Sequence, residues 1–503
     1  MSNSDQKNTI VSGVNADLPL EFVGQVLDNV HGFISYTEAE RDIMNTRLFK
    51  RLQSIKQLSV VNWVFPGSEH TRYIHSLGVM HVADKMAIAL KLTNRERRIL
   101  RLAGLLHDIG HYPMSHVGEY PYHRPEALNT MDDAAFCKAV NNSVIQRIEG
   151  FSIKGKTQLM KKRTGWHHEA VGGLIVKNNS DIRGIVEKEL GTGAADIIAD
   201  IIIGRVEREE TDPLWVQIMH SELDADGIDY MMRDSAFAGT NFGAGEIDQL
   251  IRCLVKADYN GKRIMCIRPK AIPAADQYLL NKFFHYSQVV FNRHIVVSEW
   301  MAEQVINWMR QHSAIFPSRK TLKAWADAGG GEDYLAFTDN LFWAALDKIL
   351  NDDLKELVPS HIRLFCECLL HHDEPVAAKR HEIRITSNVQ QDIIDRLMQS
   401  EIYTKPERRA EWITTLSERT MTNQMKLQDF EDAVNAELDE NHADEEERKA
   451  EMLRLKTSRL MECICVRDYD GDLHLLCDDE RSLMQTLHNQ TLVVLRSYIF
   501  PTK

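Results

Sequence analysis

The sequence predicts a mainly α-helical protein with a small α/β region towards its C-terminal end. Apolar residues recur at helical spacing in several segments, including residues 95–111, 196–209 and 248–257. Segments with strand-like alternation are few, and most of them lie beyond residue 380. Hydrophobic residues make up 44% and charged residues 26% of the 503 residues, which is typical of a globular protein.

The chain is longer than a single hydrophobic core usually organises, so we expect one large catalytic domain and a smaller appendage. The expected segments are an N-terminal tail over 1–24, the helical catalytic domain over 25–380, a C-terminal α/β region over 381–503, and within it an acidic helix or linker at 429–452. Strands are predicted at 263–269, 381–386, 463–477 and 491–500. The third of these is a hairpin candidate, with Asp470-Gly471 at the turn.

Charge and cysteine content narrow the class of protein. The formal net charge of -13 argues against extended nucleic-acid binding, which needs a broad basic surface. A small anionic substrate remains compatible, because a metal ion and a few local cations dominate the field inside a cleft. The eight cysteines include no zinc-finger pair, and neither a secretion signal nor a membrane span is recognisable. These features predict a cytoplasmic protein with reduced thiols and no membrane partner.

Three pieces of sequence offer metal-binding side chains: His75, the adjacent His107-Asp108, and Asp226. Two imidazoles and two carboxylates form a mixed nitrogen and oxygen donor set, which suits Mn, Fe, Zn or Mg. An isolated histidine is more often a structural residue. This His-Asp pair, however, follows the apolar stretch LAGLL and precedes two further histidines, a concentration of titratable groups that indicates a functional site.

These motifs and their flanks resemble the deoxynucleoside triphosphate triphosphohydrolases of the HD-domain superfamily. The similarity extends over roughly residues 25–380 with gaps, through VHGFIS, TRLFKRLQSIKQL, VFPGSEHTRYIHSLGVMH, AGLLHDIGHYPMSH, WHHEAVGG and DGIDYMMRDS. The resemblance implies an HD-type helical domain and a divalent metal held by His75, His107, Asp108 and Asp226. It also implies a dNTP substrate, a homo-oligomer and a nucleotide activator.

The resemblance assigns roles to further residues. His116 matches a histidine beside the α-phosphate that is a candidate to protonate the leaving 5′-oxygen, and Glu119 matches the carboxylate that orients it. His111 and His168 match additional active-site histidines, and Arg72 matches an arginine that contacts phosphate. Residues that match a deoxyribose pocket are Gln57, Leu58, Tyr230 and Asp234. Water attack on phosphorus needs such parts: a hydroxide source, cations to absorb charge, and a proton donor for the departing oxygen.

Two positions depart from the family pattern at the phosphate end of the substrate. A family lysine is replaced by Gly227, and a family arginine aligns with Ser287. Lys282 and Arg293 lie nearby in sequence and are candidates to replace the lost cations. The expected reaction is hydrolysis of dNTPs to deoxynucleoside and triphosphate. The alternatives are an HD nucleotidase or phosphodiesterase that acts on other phosphorylated nucleotides, and a non-catalytic nucleotide sensor, which the intact metal ligands oppose.

Two other regions concern nucleotides. At the family's activator site, Asn45, Lys50 and Gln53 replace the family residues while Arg51 is kept, which argues against the same activation by GTP. Residues 150–157, GFSIKGKT, satisfy the pattern of a phosphate-binding loop. The preceding sequence predicts an amphipathic helix where that loop requires a buried strand, so we interpret it as a basic surface loop.

Overall fold

The computed structural model describes residues 18–123, 132–150, 166–205, 208–312, 315–351, 358–373, 382–422, 426–440 and 445–499. The GFSIKGKT segment lies outside these residues except for its first glycine, and so does the expected domain boundary near residue 380. Most of the expected N-terminal tail also lies outside them.

The described residues are mainly α-helical, as the periodicity predicts, and form twenty-three helices. In the first half they are α1 Glu38–Asn45, α2 Arg47–Arg51, α3 Arg72–Ala89, α4 Asn94–Leu106, α5 His116–Glu119, α6 Asp133–Gly150, α7 His168–Asn178, α8 Ser180–Leu190, α9 Ala194–Ile203, α10 Pro213–Met219, α11 Ala225–Ala238 and α12 Ile247–Arg252. In the second half they are α13 Ile272–His285, α14 Arg293–His312, α15 Arg319–Asp327, α16 Glu332–Ala336, α17 Asp339–Asn351, α18 Ser360–His371, α19 Gln390–Leu397, α20 Glu401–Thr404, α21 Leu427–Glu440, α22 Glu445–Glu462 and α23 Met484–Leu487.

Nine strands form three small sheets within the described residues. They are β1 Gly24–Asp28, β2 Gly32–Tyr36, β3 Leu254–Tyr259, β4 Lys262–Ile267, β5 Glu382–Ser387, β6 Trp412–Thr420, β7 Cys465–Arg467, β8 Leu473–Leu475 and β9 Thr491–Ile499. β1 and β2 form an antiparallel hairpin, and β5, β9 and β6 form an antiparallel sheet in that order. The remaining sheet has the order β3-β4-β7-β8, and its β4–β7 pair is parallel.

The predicted strands are present, and the hairpin prediction is confirmed. β7 pairs antiparallel with β8 around Asp470-Gly471, where Gly471 adopts a φ of 97° that favours glycine. The helix expected over 248–257 is wrong in its second half, because α12 ends at Arg252 and β3 begins at Leu254. Pairing of β3 with β4 along its whole length outweighs the local helical pattern there.

The core that carries the site is a layer of helices around α3. Helix α3 packs against α4 and α11. The approach of α4 depends on Gly104, because a Cβ atom there would lie 3.1 Å from backbone atoms of Met80. Thr93 and Glu96 fix the start of α4 with a reciprocal capping box, and the helix ends at Leu106. His107 and Asp108 therefore lie in the turn that follows the helix and not on its side.

The two expected domains share a β-sheet and a packed apolar interface in addition to their chain connection. Strand β7 of the C-terminal region extends the sheet of β3 and β4, with Ile267 opposite Val466. Helix α6 packs its Val144 and Ile148 against apolar residues of the β5–β9–β6 sheet region. The acidic stretch at 429–452 contains most of α21 and the first part of α22. The division into domains stays a prediction.

All eight cysteines are buried, and none of them forms a disulfide bond. None of the described helices combines the length and the apolar character needed to cross a bilayer.

Candidate metal centre and active-site cavity

A cavity of about 310 Å³ lies among the helices of the first three hundred residues, and its lining runs in sequence from Gln57 to Glu299. It is lined by the predicted metal-binding and phosphate-side residues His107, Asp108, Asp226, His116, His168 and Arg72, and by the predicted sugar-side residues Gln57, Leu58, Tyr230 and Asp234. The fold thus brings together side chains that are separated by up to 177 positions in the chain, Gln57 and Asp234 being the extremes.

Two buried histidines present their Nε2 atoms to the same point. Nδ1 of His75 lies 2.7 Å from a carboxylate oxygen of Asp229, and Nδ1 of His107 lies 2.8 Å from the carbonyl oxygen of Gly104. Both partners only accept hydrogen bonds, so each Nδ1 carries the proton and each Nε2 presents a lone pair. Neither Nε2 atom has a hydrogen-bond partner, although both are buried. Such orphaned lone pairs fit a metal ion.

The carboxylates of Asp108 and Asp226 complete the donor set. Nε2 of His75 lies 3.0 Å from Asp226 and 3.8 Å from Asp108, while Nε2 of His107 lies 3.3 Å from Asp108 and 4.0 Å from Asp226. Donors that each lie about 2.0–2.2 Å from one ion are separated by about 3–4 Å. Ligand atoms of His75, His107 and Asp108 lie within 4.8 Å of one another, so these three residues fit a single divalent cation, and Asp226 adjoins the group through His75.

The electrostatics of this cluster also favour a cation. Burial lowers the pKa of His75, but its hydrogen bond to Asp229 and the negative charges of Asp226 and Asp229 outweigh it and raise that pKa to about 10. Burial raises the pKa of Asp108, whereas Arg72, His107 and His75 bring it well below its usual range. Both carboxylates thus stay ionised and stabilise positive charge at the point where the imidazole lone pairs meet.

Asp108 also contacts Arg72 and a second group of histidines. Arg72 donates to Oδ2 of Asp108 over 2.9 Å and to the hydroxyl of Ser115 over 2.9 Å. Nε2 of His111 lies 3.5 Å and Nε2 of His168 lies 3.7 Å from Oδ1 of Asp108. Arg72 is buried against the carboxylate of Asp108, a predicted metal ligand, so this arginine orients Asp108 in addition to facing the cavity.

Glu119 lies at the centre of the second histidine group. Its carboxylate is 2.8 Å from Nδ1 of both His167 and His168, but 3.5 Å from Nδ1 of His116. Burial lowers the pKa of His168, yet Glu169, Glu119 and Asp108 raise it to about 9. The closest contacts of Glu119 are therefore with His168 at the start of α7 and with the preceding His167, and not with His116, whose half-exposed ring opens onto the cavity.

The predicted sugar-side residues occupy the other wall of the cavity. Asp234 is buried and lies 2.8 Å from Nε2 of His70, and the Oε1 atom of Gln57 is buried without a hydrogen-bond partner. Tyr230 lines the cavity beneath the ammonium group of Lys282. Arg293 is different: it is exposed, donates to His294 over 2.9 Å, and is not among the described residues that line the cavity.

The sequence motifs did not single out Asp229, which orients His75. Asp229 lies three residues after Asp226 on α11 and also accepts from Arg233, while its other oxygen lies 2.6 Å from His31. Arg233 in turn donates to Asp28. The spacing of Asp226, Asp229 and Arg233 along α11 could have predicted their proximity, because residues three and four positions apart share one helix face. Contact with His31 of the first hairpin was not predictable from that spacing.

Two glycines permit the close approaches that assemble the site. A Cβ atom on Gly110 would lie 2.1 Å from the carbonyl oxygen of His168, so this glycine lets α7 bring His168 towards Asp108. A Cβ atom on Gly78 would lie 1.9 Å from Oδ1 of Asp229 and 2.4 Å from the guanidinium of Arg233. Gly78 therefore lets α11 hold Asp229 against His75.

We expect Gly78→Ala to lower metal affinity by about 10–100-fold, the usual effect of disturbing a residue that orients a ligand. The added methyl group displaces Asp229, which leaves His75 without its orienting carboxylate. Metal titration of the folded variant by calorimetry measures the change. Gly184→Ala is the matched control, since it also lies in a helix and its Cβ meets nothing within 4 Å. Equal affinities in both variants would contradict the proposed role of Asp229.

Comparison with known proteins places this site in a recognised sequence family. Residues 72–143, which contain His75, His107, Asp108 and His116, match the family model described as the HD domain. The match covers the chain from the start of α3 into α6.

Several proteins are similar to parts of the chain. An uncharacterized protein of Methanocaldococcus jannaschii is 26% identical over 281 residues, which cover 56% of this chain and 49% of that protein. The deoxynucleoside triphosphate triphosphohydrolase SAMHD1 homolog of Dictyostelium discoideum is 28% identical over 221 residues, covering 42% of this chain and 36% of that protein. The chain spans about half the length of the first curated relatives it matches.

The fold is shared with a solved protein. A phosphohydrolase from Bacteroides thetaiotaomicron superposes with a TM-score of 0.59 at 18% identity, covering 95% of this chain and 100% of that one. The similarity thus extends beyond the segment matched by the family model and includes the C-terminal region.

Proposed function

Because this chain carries an HD domain over residues 72–143 and belongs among the HD-domain proteins related to dNTPases, we propose that it is a metal-dependent phosphohydrolase that cleaves dNTPs to deoxynucleoside and triphosphate. The observation that supports this most is the convergence of two orphaned Nε2 atoms and two ionised carboxylates at one wall of a nucleotide-sized cavity. Manganese and magnesium head the candidate ions, with iron and zinc as alternatives.

The residues of the chain divide the chemistry between them. His75, His107, Asp108 and Asp226 would hold a divalent ion, whose chemistry would be to activate water and to neutralise charge on the phosphate. Arg72 faces the same cavity and keeps Asp108 ionised and fixed in position. Burial of Asp108 and its partners keeps bulk water from competing for these charges.

Departure of the 5′-oxygen requires a proton, and His116 is our candidate donor. Its ring is half exposed within the cavity and lies beside His111 and His168. Glu119 lies 3.5 Å from its Nδ1, which leaves Nε2 to face the leaving oxygen. His168, hydrogen-bonded to the same carboxylate, adds positive charge next to the reacting phosphate.

Deoxyribose recognition is proposed for the opposite wall. Gln57 offers an unpartnered Oε1, and Asp234 offers a carboxylate held by His70 and close to His285. Tyr230 and Leu58 supply flat and apolar surface between these polar groups. Such a mixture of apolar wall and few polar groups is common in small-molecule sites.

A second candidate function is an HD nucleotidase or phosphodiesterase that acts on substrates with fewer phosphates. It is favoured by Gly227 and Ser287, which replace two cations of the family pattern. Each lost charge-assisted hydrogen bond removes roughly 1.5–3 kcal/mol of binding free energy unless another cation replaces it.

Product analysis distinguishes these functions. The purified protein is incubated with each dNTP, NTP and dNMP in the presence of Mn²⁺ or Mg²⁺, and the inorganic products are separated by ion-exchange chromatography. We expect dNTPs to yield tripolyphosphate and deoxynucleoside. Release of pyrophosphate or orthophosphate would instead support the second candidate, and tight nucleotide binding without turnover would contradict both.

Assembly and activation are proposed by the same resemblance. We expect a homo-oligomer, and repeating the product analysis with and without added nucleotides tests for an activator. Arg51, which is kept at the family's activator position, is buried here and donates to the carbonyl oxygens of Phe337 and His111. Its guanidinium also lies 4.2 Å from the ring centre of Tyr334. These contacts favour a structural role for Arg51 in this chain.

A further inference from the structure

Lys282 brings an ammonium group to the place where the family pattern has a lysine and this chain has Gly227. A Cβ atom on Gly227 would lie 3.7 Å from Nζ of Lys282, which comes from α13 and not from α11. The ammonium group lies 5.5 Å from the ring centre of Tyr230 and 5.6 Å from that of Tyr278. Tyr230 lines the cavity, so Lys282, which is not itself among the lining residues, lies behind the part of the wall that Tyr230 forms.

Arg419 brings a second cation to the same region from the C-terminal sheet. It lies on β6, and its guanidinium carbon is 4.0 Å from the ring centre of Tyr286. Tyr286 lines the cavity and begins a π-helical turn that follows α13. Burial lowers the pKa of Lys282, and the charge of Arg419 lowers it further.

Neither cation is neutralised by a direct partner. Among the described residues, Nζ of Lys282 and the guanidinium of Arg419 form no hydrogen bond or ion pair, and Nε of Arg419 is buried. The hydroxyl of Tyr278, which a Cβ atom on Gly227 would approach to 2.7 Å, is also buried without a partner. Buried donors are normally satisfied, so this group of unsatisfied donors fits an anionic ligand.

Three carboxylates lie in the neighbourhood of Lys282, but they do not prevent an anionic ligand from binding there. Asp224, Glu222 and Asp226 interact with Lys282 at longer range, since their charges oppose the lowering of its pKa. At the start of α11, one carboxylate oxygen of Asp224 accepts a hydrogen bond from the amide of Gly227 over 2.6 Å. Glu222 accepts from the hydroxyl of Thr422. These carboxylates therefore have partners of their own.

An arginine of the C-terminal sheet also lies next to Ser287, where the family pattern has an arginine. Arg384 of β5 donates to the hydroxyl and to the carbonyl oxygen of Ser287, the residue that aligns with the lost family arginine. The C-terminal sheet thus directs two arginines, Arg384 and Arg419, at the π-helical turn beside the cavity.

From these contacts we propose that Lys282 and Arg419, with the hydroxyl of Tyr278, bind the phosphate groups of the substrate that lie beyond the one attacked. The inference rests on the proposed dNTP hydrolysis and specifies how a chain with Gly227 and Ser287 holds a polyphosphate. It also gives the C-terminal region a direct part in substrate binding, since Arg419 belongs to β6.

Binding of inorganic tripolyphosphate to the Mn²⁺-loaded full chain tests this assignment by calorimetry. Lys282→Gln and Arg419→Gln are each expected to raise the dissociation constant by about 10–100-fold, the effect of one lost charge-assisted hydrogen bond. Arg408→Gln is the matched control, because its guanidinium also stacks on a ring, that of Trp412, but at an exposed site paired with Glu411. Melting temperature and metal content establish that each variant is folded and loaded.

A further readout separates binding from general damage to the site. In Lys282→Gln and Arg419→Gln we expect KM for a dNTP to rise much more than kcat falls, and Lys282→Arg to restore most of the affinity. Tripolyphosphate binding equal to that of Arg408→Gln in both folded variants would overturn the assignment, even if dNTPs are hydrolysed. Weaker binding in a chain that releases no tripolyphosphate from dNTPs would support it and contradict the proposed reaction.

Discussion

Asp108→Ala is expected to abolish both metal binding and hydrolysis. Oδ1 of Asp108 lies 3.3 Å from Nε2 of His107, and its Oδ2 lies 3.8 Å from Nε2 of His75 and accepts from Arg72. The substitution removes a ligand and leaves a buried guanidinium unpaired, so the remaining donors no longer balance the charge of a divalent ion. Elemental analysis after dialysis and the product assay on dNTPs measure the two losses.

Because breaking a buried ion pair costs about 3–5 kcal/mol of folding stability, a second variant is needed. Asp108→Asn keeps an oxygen for Arg72 but removes the negative charge. We expect it to remain folded and still to bind little metal. Normal metal content and activity in folded Asp108→Asn would refute the assignment of the metal centre.

His116→Ala is expected to keep the metal and to slow hydrolysis by about 10²–10⁴-fold, the usual contribution of a general acid. Its ring lines the cavity but is not among the four converging donors, so removal leaves those ligands in place. The rate loss arises because the 5′-oxygen then departs without a proton. Single-turnover hydrolysis of a dNTP measures the chemical step directly.

The control for this variant is His312→Ala, which removes a histidine that stacks on Trp308 away from the cavity. It is expected to hydrolyse dNTPs at the rate of the unmodified chain. If His116→Ala loses metal, His116 is a ligand and its assigned role is wrong. If metal and rate are both retained, His168 becomes the better candidate for the proton donor, since its pKa is raised to about 9.

Several features of the fold followed from the sequence because they depend on local chemistry. Helical periodicity predicted the mainly α class, and Asp470-Gly471 predicted the β7–β8 turn, since a short turn selects its own residues. The strands β1, β2 and β6 were not predicted. Their pairing partners, not their own composition, decide whether such segments form strands.

At the site, too, some features followed from the sequence and others depended on the tertiary structure. The sequence alone determined the metal-binding residue types and their motifs, because the donor chemistry of His75, His107 and Asp108 is carried by the side chains themselves. Only the tertiary structure decided what surrounds them: Asp229 behind His75, and Glu119 closer to His168 than to His116. The proposed phosphate-binding cations, Lys282 on α13 and Arg419 on β6, likewise come from elements that meet only in the folded chain. Contacts across such distances are fixed by packing, whose geometry no local pattern contains.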